Sequence, residues 1–231
     1  MKNLLTHLRT NLVIAAVTAS AIVGWTTPSR AATIIWGPAT TIAGNSDVST
    51  TGTFVYAEHW GGTNSIVNGV PFSAAQNLVV ASSPDPLGVR VNSDIGASPS
   101  LSPEYQDILK GNWFNTNSGT ITLNNLTSTQ GYLVQLWVAD IRYNSNQQTT
   151  IADGPSLYIN NGGFGQYVIG TFTADGNTQT INFGSGDGLV NAVQLRAVPV
   201  PEPTSMALAG LGFLGLLGMR RRRASSGSPD A

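Results

Sequence analysis

The segment YLVQLWVADI at residues 132–141 decides the fold class, because its apolar side chains fall on both faces of an extended chain. Alternate residues from Tyr132 to Val138 share one face, while Leu133 and Trp137 occupy the other. A strand that is apolar on both faces is typical of the centre of a sheet that is covered on both sides. The segment therefore predicts a buried central strand at Tyr132–Ile141.

Other short β-rich runs, separated by Gly, Asn, Asp and Pro, lie on either side of this segment. In Gln166–Thr173 the residues Val168, Gly170 and Phe172 share one face, which predicts a strand that is buried on one side. The sequence Asp175-Gly176-Asn177 that follows is typical of a hairpin turn. The predicted strands are Thr33–Trp36, Thr53–Trp60, Asn77–Ala81, Thr120–Leu123, Tyr132–Ile141, Ser156–Ile159, Gln166–Thr173, Thr178–Phe183 and Leu189–Val198.

One short helix is predicted between these strands. Ser102 is a capping residue, Pro103 suits the first helical position, Glu104 favours the positive end of the helix, and Gly111 ends it. One apolar face results from the spacing of Tyr105, Ile108 and Leu109. Residues 32–197 are therefore predicted to form an all-β domain, a β-sandwich with one short helix.

The closing part of this domain resembles a known fold. Residues 166–181 and 191–198 are similar to the last strands of jelly-roll domains of the galactose-binding and carbohydrate-binding type, and Tyr132–Asp140 resembles their central strand. The resemblance implies a jelly-roll-like sandwich and a carbohydrate ligand.

The N-terminus has the three parts of a secretory signal peptide. Lys2 and Arg9 precede the apolar stretch Leu12–Val23, and small residues lead to a cleavage site between Ala31 and Ala32. Residues 1–31 are therefore predicted to direct export through the Sec translocon. A retained anchor is the alternative, but twelve helical residues reach only about 18 Å of a hydrocarbon core that is about 30 Å thick.

The C-terminus has three unlike elements in order, before a polar tail at residues 224–231. They are the triplet Pro201-Glu202-Pro203, the apolar segment Met206–Met219 and an arginine cluster that consists of Arg220, Arg221, Arg222 and Arg223. Arginines next to an apolar segment stop transfer and stay on the cytoplasmic side. This arrangement resembles the PEP-CTERM sorting signal, at residues 198–223. The alternative is an ordinary tail anchor, although fourteen helical residues reach only about 21 Å.

The PEP-CTERM resemblance implies a cellular context. It implies a membrane-embedded exosortase that recognises and processes the tail, with the helix at 206–219 crossing the membrane transiently as a single span. It also implies export across the inner membrane of a Gram-negative-type bacterium to the cell surface or extracellular matrix, and a link to exopolysaccharide or biofilm production.

Charge and composition exclude several function classes for the domain. Between Thr33 and Val198 there are four basic and ten acidic side chains, a net charge of −6, so a nucleic-acid-binding face is not expected. The chain has no cysteine, and His59 is the only histidine outside the leader. Disulfides, a cysteine-ligated metal and a multi-histidine zinc site are therefore excluded.

The sequence offers little that points to catalysis, so we predict that the protein is not an enzyme. No serine lies in a glycine-flanked elbow, and the neighbours Glu58 and His59 fall on opposite faces of a regular strand. A polysaccharide hydrolase or lyase is the less favoured alternative, and it would use two of the carboxylates Asp140, Asp153 and Asp187. Asp153 and Asp187 are also typical turn residues, and Asp140 is also placed to pair with Arg142.

No cofactor is required, and a structural calcium ion is the metal that the composition favours. Its candidate ligands are Asp47, Asp140 and Asp187, because hard oxygen atoms are the ligands that the domain offers. No EF-hand spacing is present.

Aromatic residues near loops are the candidate ligand-binding residues. Trp60, Trp113 and Tyr143 border predicted loops and Arg142 precedes Tyr143, a combination suited to sugar rings and hydroxyls. The alternative is that these aromatics form a satellite hydrophobic cluster. The sequence therefore favours polysaccharide binding without catalysis; the alternative is a structural or adhesive matrix protein with no small ligand.

Overall fold

The computed structural model describes residues 32–61, 63–74, 79–83, 89–90, 101–115, 118–143, 146–162, 164–184 and 188–200. The predicted signal peptide, the polar tail and Asp187 lie outside the described residues. So does the sorting segment beyond Val200, including the predicted stop-transfer residues Arg220, Arg221, Arg222 and Arg223. No helix within the described ranges is long and apolar enough to cross a membrane.

The described chain is mostly β-strand with one α-helix and a short 3₁₀ turn at Asn45–Asp47, which confirms the all-β prediction. The helix, α1, spans Pro103–Lys110. The strands are β1 Ile35–Trp36, β2 Thr40–Thr41, β3 Thr53–His59, β4 Ser65–Val67, β5 Val70–Ala74, β6 Val79–Ser83, β7 Val89–Arg90, β8 Asn112–Asn115, β9 Ser118–Leu123, β10 Gly131–Val138, β11 Gln148–Thr150, β12 Ser156–Tyr158, β13 Gln166–Thr173, β14 Gln179–Phe183, β15 Gly188–Val190 and β16 Ala192–Val198.

Of the sheets in the described ranges, the largest has eight strands in the order β1-β13-β10-β16-β3-β5-β4, with β2 also paired to β13. Strands β10, β13, β16 and β3 pair antiparallel, whereas β3 and β5 are parallel. A smaller sheet orders β14-β9-β6, and a bridge between Ile151 and Phe183 joins the β11–β12 hairpin to it. Strands β15, β8 and β7 form a third sheet.

The central strand β10 is buried at all eight positions, as its sequence predicts. Its even-numbered residues belong to a core that lies between the large sheet and the smaller ones. We call this core the sandwich core. The principal members of this core are Tyr56, Trp113, Ile121, Leu123, Val134, Leu136, Leu157, Val168, Phe172, Ile181, Phe183, Val193 and Leu195.

The opposite face of the large sheet is also covered, so the fold has a third layer. Trp137 packs edge-on against Phe72 of the β4–β5 hairpin, with ring centroids 5.6 Å apart. The Trp137 indole also donates a hydrogen bond of 2.9 Å to the Tyr105 hydroxyl of α1. This second core contains Ile42, Val48, Ala57, Val67, Val70, Phe72, Leu101, Tyr105, Ile108, Leu109, Trp137, Ala139 and Ala192.

The predicted helix is confirmed with its capping residues. The Ser102 hydroxyl accepts a hydrogen bond of 3.2 Å from the Tyr105 backbone N–H, Pro103 opens the helix and Gly111 follows its last residue. A β-carbon at position 111 would lie 2.3 Å from the Trp60 carbonyl oxygen. Glycine is therefore required where the helix ends against β3.

Polar side chains on the covered face hold residues 47–52 across the sheet. Gln135 donates to the Asp47 carbonyl at 2.7 Å and accepts from the Ser49 N–H at 3.0 Å. Gln194 donates to the Ser49 carbonyl at 2.7 Å, and the Arg196 guanidinium donates to the carbonyls of residues 50, 51 and 52. These bonds satisfy both amide atoms of Gln135 and the amide nitrogen of Gln194, whereas Gln194 Oε1 has no partner among the described residues.

Two local predictions are wrong. The turn at residues 175–177 does not form a hairpin, because β13 joins the large sheet whereas β14 pairs with β9. Gly176 lacks the positive φ that a two-residue hairpin turn requires, and the segment carries the chain from one layer to the other. The strand predicted at Leu189–Val198 is two strands, β15 and β16, interrupted at Asn191.

Candidate functional site

The loops beyond the C-terminal end of β10 hold polar and aromatic residues that suit ligand binding, of which Arg142 and Tyr158 are exposed. We define the loop cluster as Asp140, Arg142, Tyr143, Tyr158 and Asn160. The backbone N–H of Asp140 donates to the Ile159 carbonyl at 3.0 Å, and that of Tyr143 donates to the Asp140 carbonyl at 3.3 Å. These bonds tie the turn after β10 to the segment after β12.

An ion pair orients the arginine of the loop cluster. Arg142 Nε donates to Asp140 Oδ1 at 2.9 Å and to Oδ2 at 3.2 Å, and Arg142 Nη2 also donates to Oδ2. The Asp140 side chain is fully buried, whereas 51% of the Arg142 side chain is exposed. A buried carboxylate therefore fixes the plane of a guanidinium that remains at the surface. The pairing of Asp140 with Arg142 that the sequence offered is confirmed.

Two tyrosines lie on the segments that the backbone bonds of the loop cluster join. Tyr143 is half-buried, with its ring centroid 6.1 Å from that of Phe114. Asn160 holds the loop by donating to the carbonyls of Ile141 at 3.2 Å and Tyr143 at 2.9 Å. Tyr158 is 39% exposed, one of the large apolar side chains that the described surface presents.

Tyr158 was not among the residues singled out from the sequence. It is the last residue of a three-residue strand, and Ile159 separates it from the polar, glycine-rich run Asn160-Asn161-Gly162-Gly163. A tyrosine at the end of a short strand before such a polar, glycine-rich loop is the sequence signal that would have identified it.

The two tryptophans predicted to bind ligand are core residues, which corrects that expectation. Trp60 is 4% exposed and Trp113 is 2% exposed, and both belong to the sandwich core. The Trp113 ring packs 5.4 Å from Phe183. Because packing covers both indoles, neither offers a ring face to a sugar. Their position next to loops misled the sequence interpretation.

The candidate calcium ligands have separate partners. Asp47 Oδ2 accepts from the backbone N–H groups of Ala43 at 2.7 Å and Gly44 at 2.9 Å, and from the Tyr105 hydroxyl at 3.4 Å. Asp140 accepts from Arg142, and Asp187 lies outside the described residues. Within the ranges that the structure describes, no three residues among His, Cys, Asp and Glu are grouped to hold a metal ion. A calcium site stays a prediction.

Glu58 and His59 are both fully buried, on opposite faces of β3. Glu58 lies opposite Val193 on the face of the sandwich core, and His59 lies opposite Ala192 on the face covered by α1. The prediction that they do not form a pair is confirmed. Neither ring nitrogen of His59 has a hydrogen-bond partner among the described residues.

We expect this histidine to make the domain acid-sensitive. Burial lowers the pKa of His59 below its ordinary value of 6.5, although the Thr63 backbone and the Asp107 carboxylate oppose the shift. Folding therefore favours the neutral ring. Its contribution to stability is fully present above pH 6.5 and is lost as pH falls from 6.5 through the lower pKa of the folded state. The free energy of unfolding, measured by urea denaturation, is expected to decrease as the pH is lowered from about 7.5 to about 5.5. One proton accounts for a decrease of at most about 1.4 kcal/mol per pH unit.

The matched variant is His59→Gln, which cannot titrate. Because His59 is the only histidine outside the predicted leader, its replacement removes histidine titration from the domain. An unfolding midpoint that falls equally in both proteins over this pH range would show that another group is responsible.

The match to a known protein family lies in the C-terminal tail. Residues 199–223 match the family model of the PEP-CTERM protein-sorting motif. The matched range contains the Pro-Glu-Pro triplet, the apolar segment and all four predicted stop-transfer residues, Arg220, Arg221, Arg222 and Arg223. No curated protein and no solved structure matches the chain.

The matched model describes a sorting motif and not a catalytic domain. The resemblance of the tail to this motif is therefore confirmed, whereas the stop-transfer role of the individual arginines stays a prediction. The chain thus carries the PEP-CTERM signal, which directs an exported bacterial protein to an exosortase and to a surface or extracellular location.

Proposed function

We propose that the domain is a non-catalytic polysaccharide-binding module that the sorting signal delivers to the surface or extracellular matrix of a Gram-negative-type bacterium. The observation that carries the proposal is the loop cluster, where the buried Asp140 carboxylate orients the exposed Arg142 one residue before Tyr143. The exposed Tyr158 precedes Ile159, whose carbonyl is bonded to the Asp140 N–H of this loop. The ligand would be an extracellular polysaccharide of the kind found in biofilms.

The chemistry of the loop cluster suits a sugar chain. A tyrosine ring covers the apolar face of a pyranose, while guanidinium and amide groups bond to its hydroxyls in defined directions. Two further amide side chains lie on these segments. Gln148 pairs with Tyr158 in the β11–β12 hairpin. Asn161, next to Asn160, donates to the Thr41 hydroxyl at 2.7 Å. The loop cluster favours binding over catalysis, because its carboxylate is already bonded to Arg142.

Binding is tested by retention of the exported protein on a panel of bacterial and plant polysaccharides, with calcium and with a chelator. Tyr158→Ala is expected to weaken the Kd by about threefold to tenfold, because an aromatic contact contributes roughly 0.5–1.5 kcal/mol. Arg142→Gln is expected to weaken it similarly while leaving Asp140 a hydrogen-bond donor.

The control is Ile66→Ala, which removes an exposed side chain from the edge strand β4, outside the loop cluster. Equal retention of all four proteins would remove the loop cluster as the site. Absence of retention on every polysaccharide, by a folded protein, would refute the proposed function. Retention that occurs with calcium and is lost when the chelator is added would establish a calcium requirement.

A structural or adhesive matrix protein is the second candidate. It is favoured by the exposed isoleucines Ile35 and Ile66, which are 73% and 64% exposed on the two edge strands of the large sheet. Exposed apolar edge residues promote association between sheets. Concentration-dependent association of the domain, with no polysaccharide bound, would support this candidate over the first.

A further inference from the structure

We propose that the end of the domain opposite the loop cluster is a lipid-contact face, which rests on the bilayer while the sorting segment tethers the protein. The proposal rests on the sorting part of the proposed function and on the transient membrane span that the sequence predicts at Met206–Met219. The face is built around an apolar groove of about 620 Å³, which we call the basal groove. Its apolar lining includes Ala32, Ile35, Tyr132, Leu133, Phe172 and Val198.

Both ends of the domain meet at the basal groove. Ala32, the first residue after the predicted signal-peptide cleavage site, and Pro199, the first residue of the matched sorting motif, both line it. The chain stays in contact with the domain one residue further, because a β-carbon at Gly131 would lie 3.2 Å from Val200 Cγ2. The Pro-Glu-Pro triplet begins at the next residue. No spacer therefore separates the domain from the sorting signal.

This connection limits the distance between the groove and the membrane. Met206 follows Val200 by six residues, which reach at most about 22 Å when fully extended. A bilayer that holds Met206–Met219 is therefore within about 22 Å of the basal groove. The occupant that the chain itself brings to this face is lipid.

The surface chemistry at this end suits the bilayer interface. Ile35 is 73% exposed at the rim of the groove, and the lining residues are apolar or carry uncharged hydroxyls, with none charged among those described. Tyr132, Leu133 and Phe172 are at most 7% exposed, so Ile35 is the side chain that gains free energy by leaving water. Threonine hydroxyls of the lining can bond at the headgroup level.

The orientation that follows is consistent with the proposed binding site. Strand β10 starts at the basal groove with Gly131 and ends at the loop cluster after Val138, so the two sites are separated by its length, about 23 Å. With the basal groove on the membrane, Arg142 and Tyr158 face away from the bilayer, towards the extracellular matrix.

The test uses the full chain in vesicles of phosphatidylethanolamine and phosphatidylglycerol. Because the chain has no cysteine, an Ile35→Cys variant carries a single thiol for an environment-sensitive fluorophore. The matched control is Ile66→Cys, which is 64% exposed and borders an apolar groove of about 370 Å³ on the other edge strand. We expect brominated lipid to quench the label at position 35 at least about twofold more than the label at position 66, because only the first lies at the tethered end.

Flotation with the vesicles separates the two ways in which the proposal can fail. Absence of flotation would refute membrane insertion of the sorting segment and, with it, the lipid-contact face. Flotation with equal quenching at the two positions, or with none at position 35, would overturn the lipid-contact face alone. A label at position 35 that is shielded from aqueous iodide but not quenched by lipid would mean that the sorting segment or a second copy occupies the groove, which also overturns the proposal.

Discussion

Replacing Asn191 with alanine is expected to lower the free energy of unfolding by roughly 3 kcal/mol, because one fully buried amide joins three parts of the fold. Its Oδ1 accepts from the Ala139 N–H at 2.6 Å. Its Nδ2 donates to the carbonyls of Leu109 at 2.6 Å, Gly111 at 3.0 Å and Ala139 at 3.1 Å. Alanine leaves one buried donor and three buried carbonyls without this partner.

The geometry also predicts how other variants of this residue behave. Asn191→Asp keeps the acceptor but directs a carboxylate at three carbonyl oxygens, so it should destabilise the protein at least as much as alanine. Asn182→Ala, at an exposed position of β14, should change stability by less than about 0.5 kcal/mol. Urea unfolding of the purified proteins measures all three. A loss of less than about 1 kcal/mol for Asn191→Ala would show that the network has little energetic weight.

Replacing Pro201-Glu202-Pro203 with three alanines is expected to abolish processing of the tail. The matched sorting motif includes this triplet, and the domain is packed against the chain up to Val200. The variant should therefore fold normally but remain with the membrane, at the level seen for the native sequence in cells without the exosortase. Cell fractionation measures this outcome.

The control for the triplet is replacement of Ser225, Ser226 and Ser228 with alanine, since these residues lie beyond the arginine cluster. This variant should be processed like the native protein. Normal release of the triplet variant to the surface would mean that the triplet is not the element recognised.

The elements that the sequence predicted correctly are those specified by neighbouring residues. Tyr132–Ile141 is apolar on both faces, and β10 is buried at every position. The capping residues of α1 lie next to each other in the chain and act locally. The alternation in Gln166–Thr173 likewise appears as a strand with one buried face. Such signals do not depend on which distant segment completes the packing.

The errors arose where distant contacts decide the structure. A turn sequence reverses the chain but does not choose the sheet that the next strand joins, so β13 and β14 were wrongly paired. Asn191 reads as an ordinary strand residue, although its side chain bonds to segments that lie far away in the sequence. The strands β4 and β5 were missed because they are short and are stabilised by the third layer.

The sequence predicted part of the candidate site, namely the residues whose position depends on their neighbours in the chain. Arg142 and Tyr143 follow the central strand directly, so their place in a loop at its end was readable from the sequence. The exposure of a residue depends on what packs against it, which is why Trp60 and Trp113 were mistaken for surface residues and Tyr158 was missed.

The measurement that tests the central claim most directly is the mass of the C-terminal peptide of the protein recovered from the cell surface or the medium. In cells that contain the exosortase, we expect this form to lack the arginine cluster, Arg220, Arg221, Arg222 and Arg223. In cells without the exosortase, we expect the full tail to remain on membrane-associated protein. Surface-located protein that ends at Ala231 in exosortase-containing cells would contradict the account.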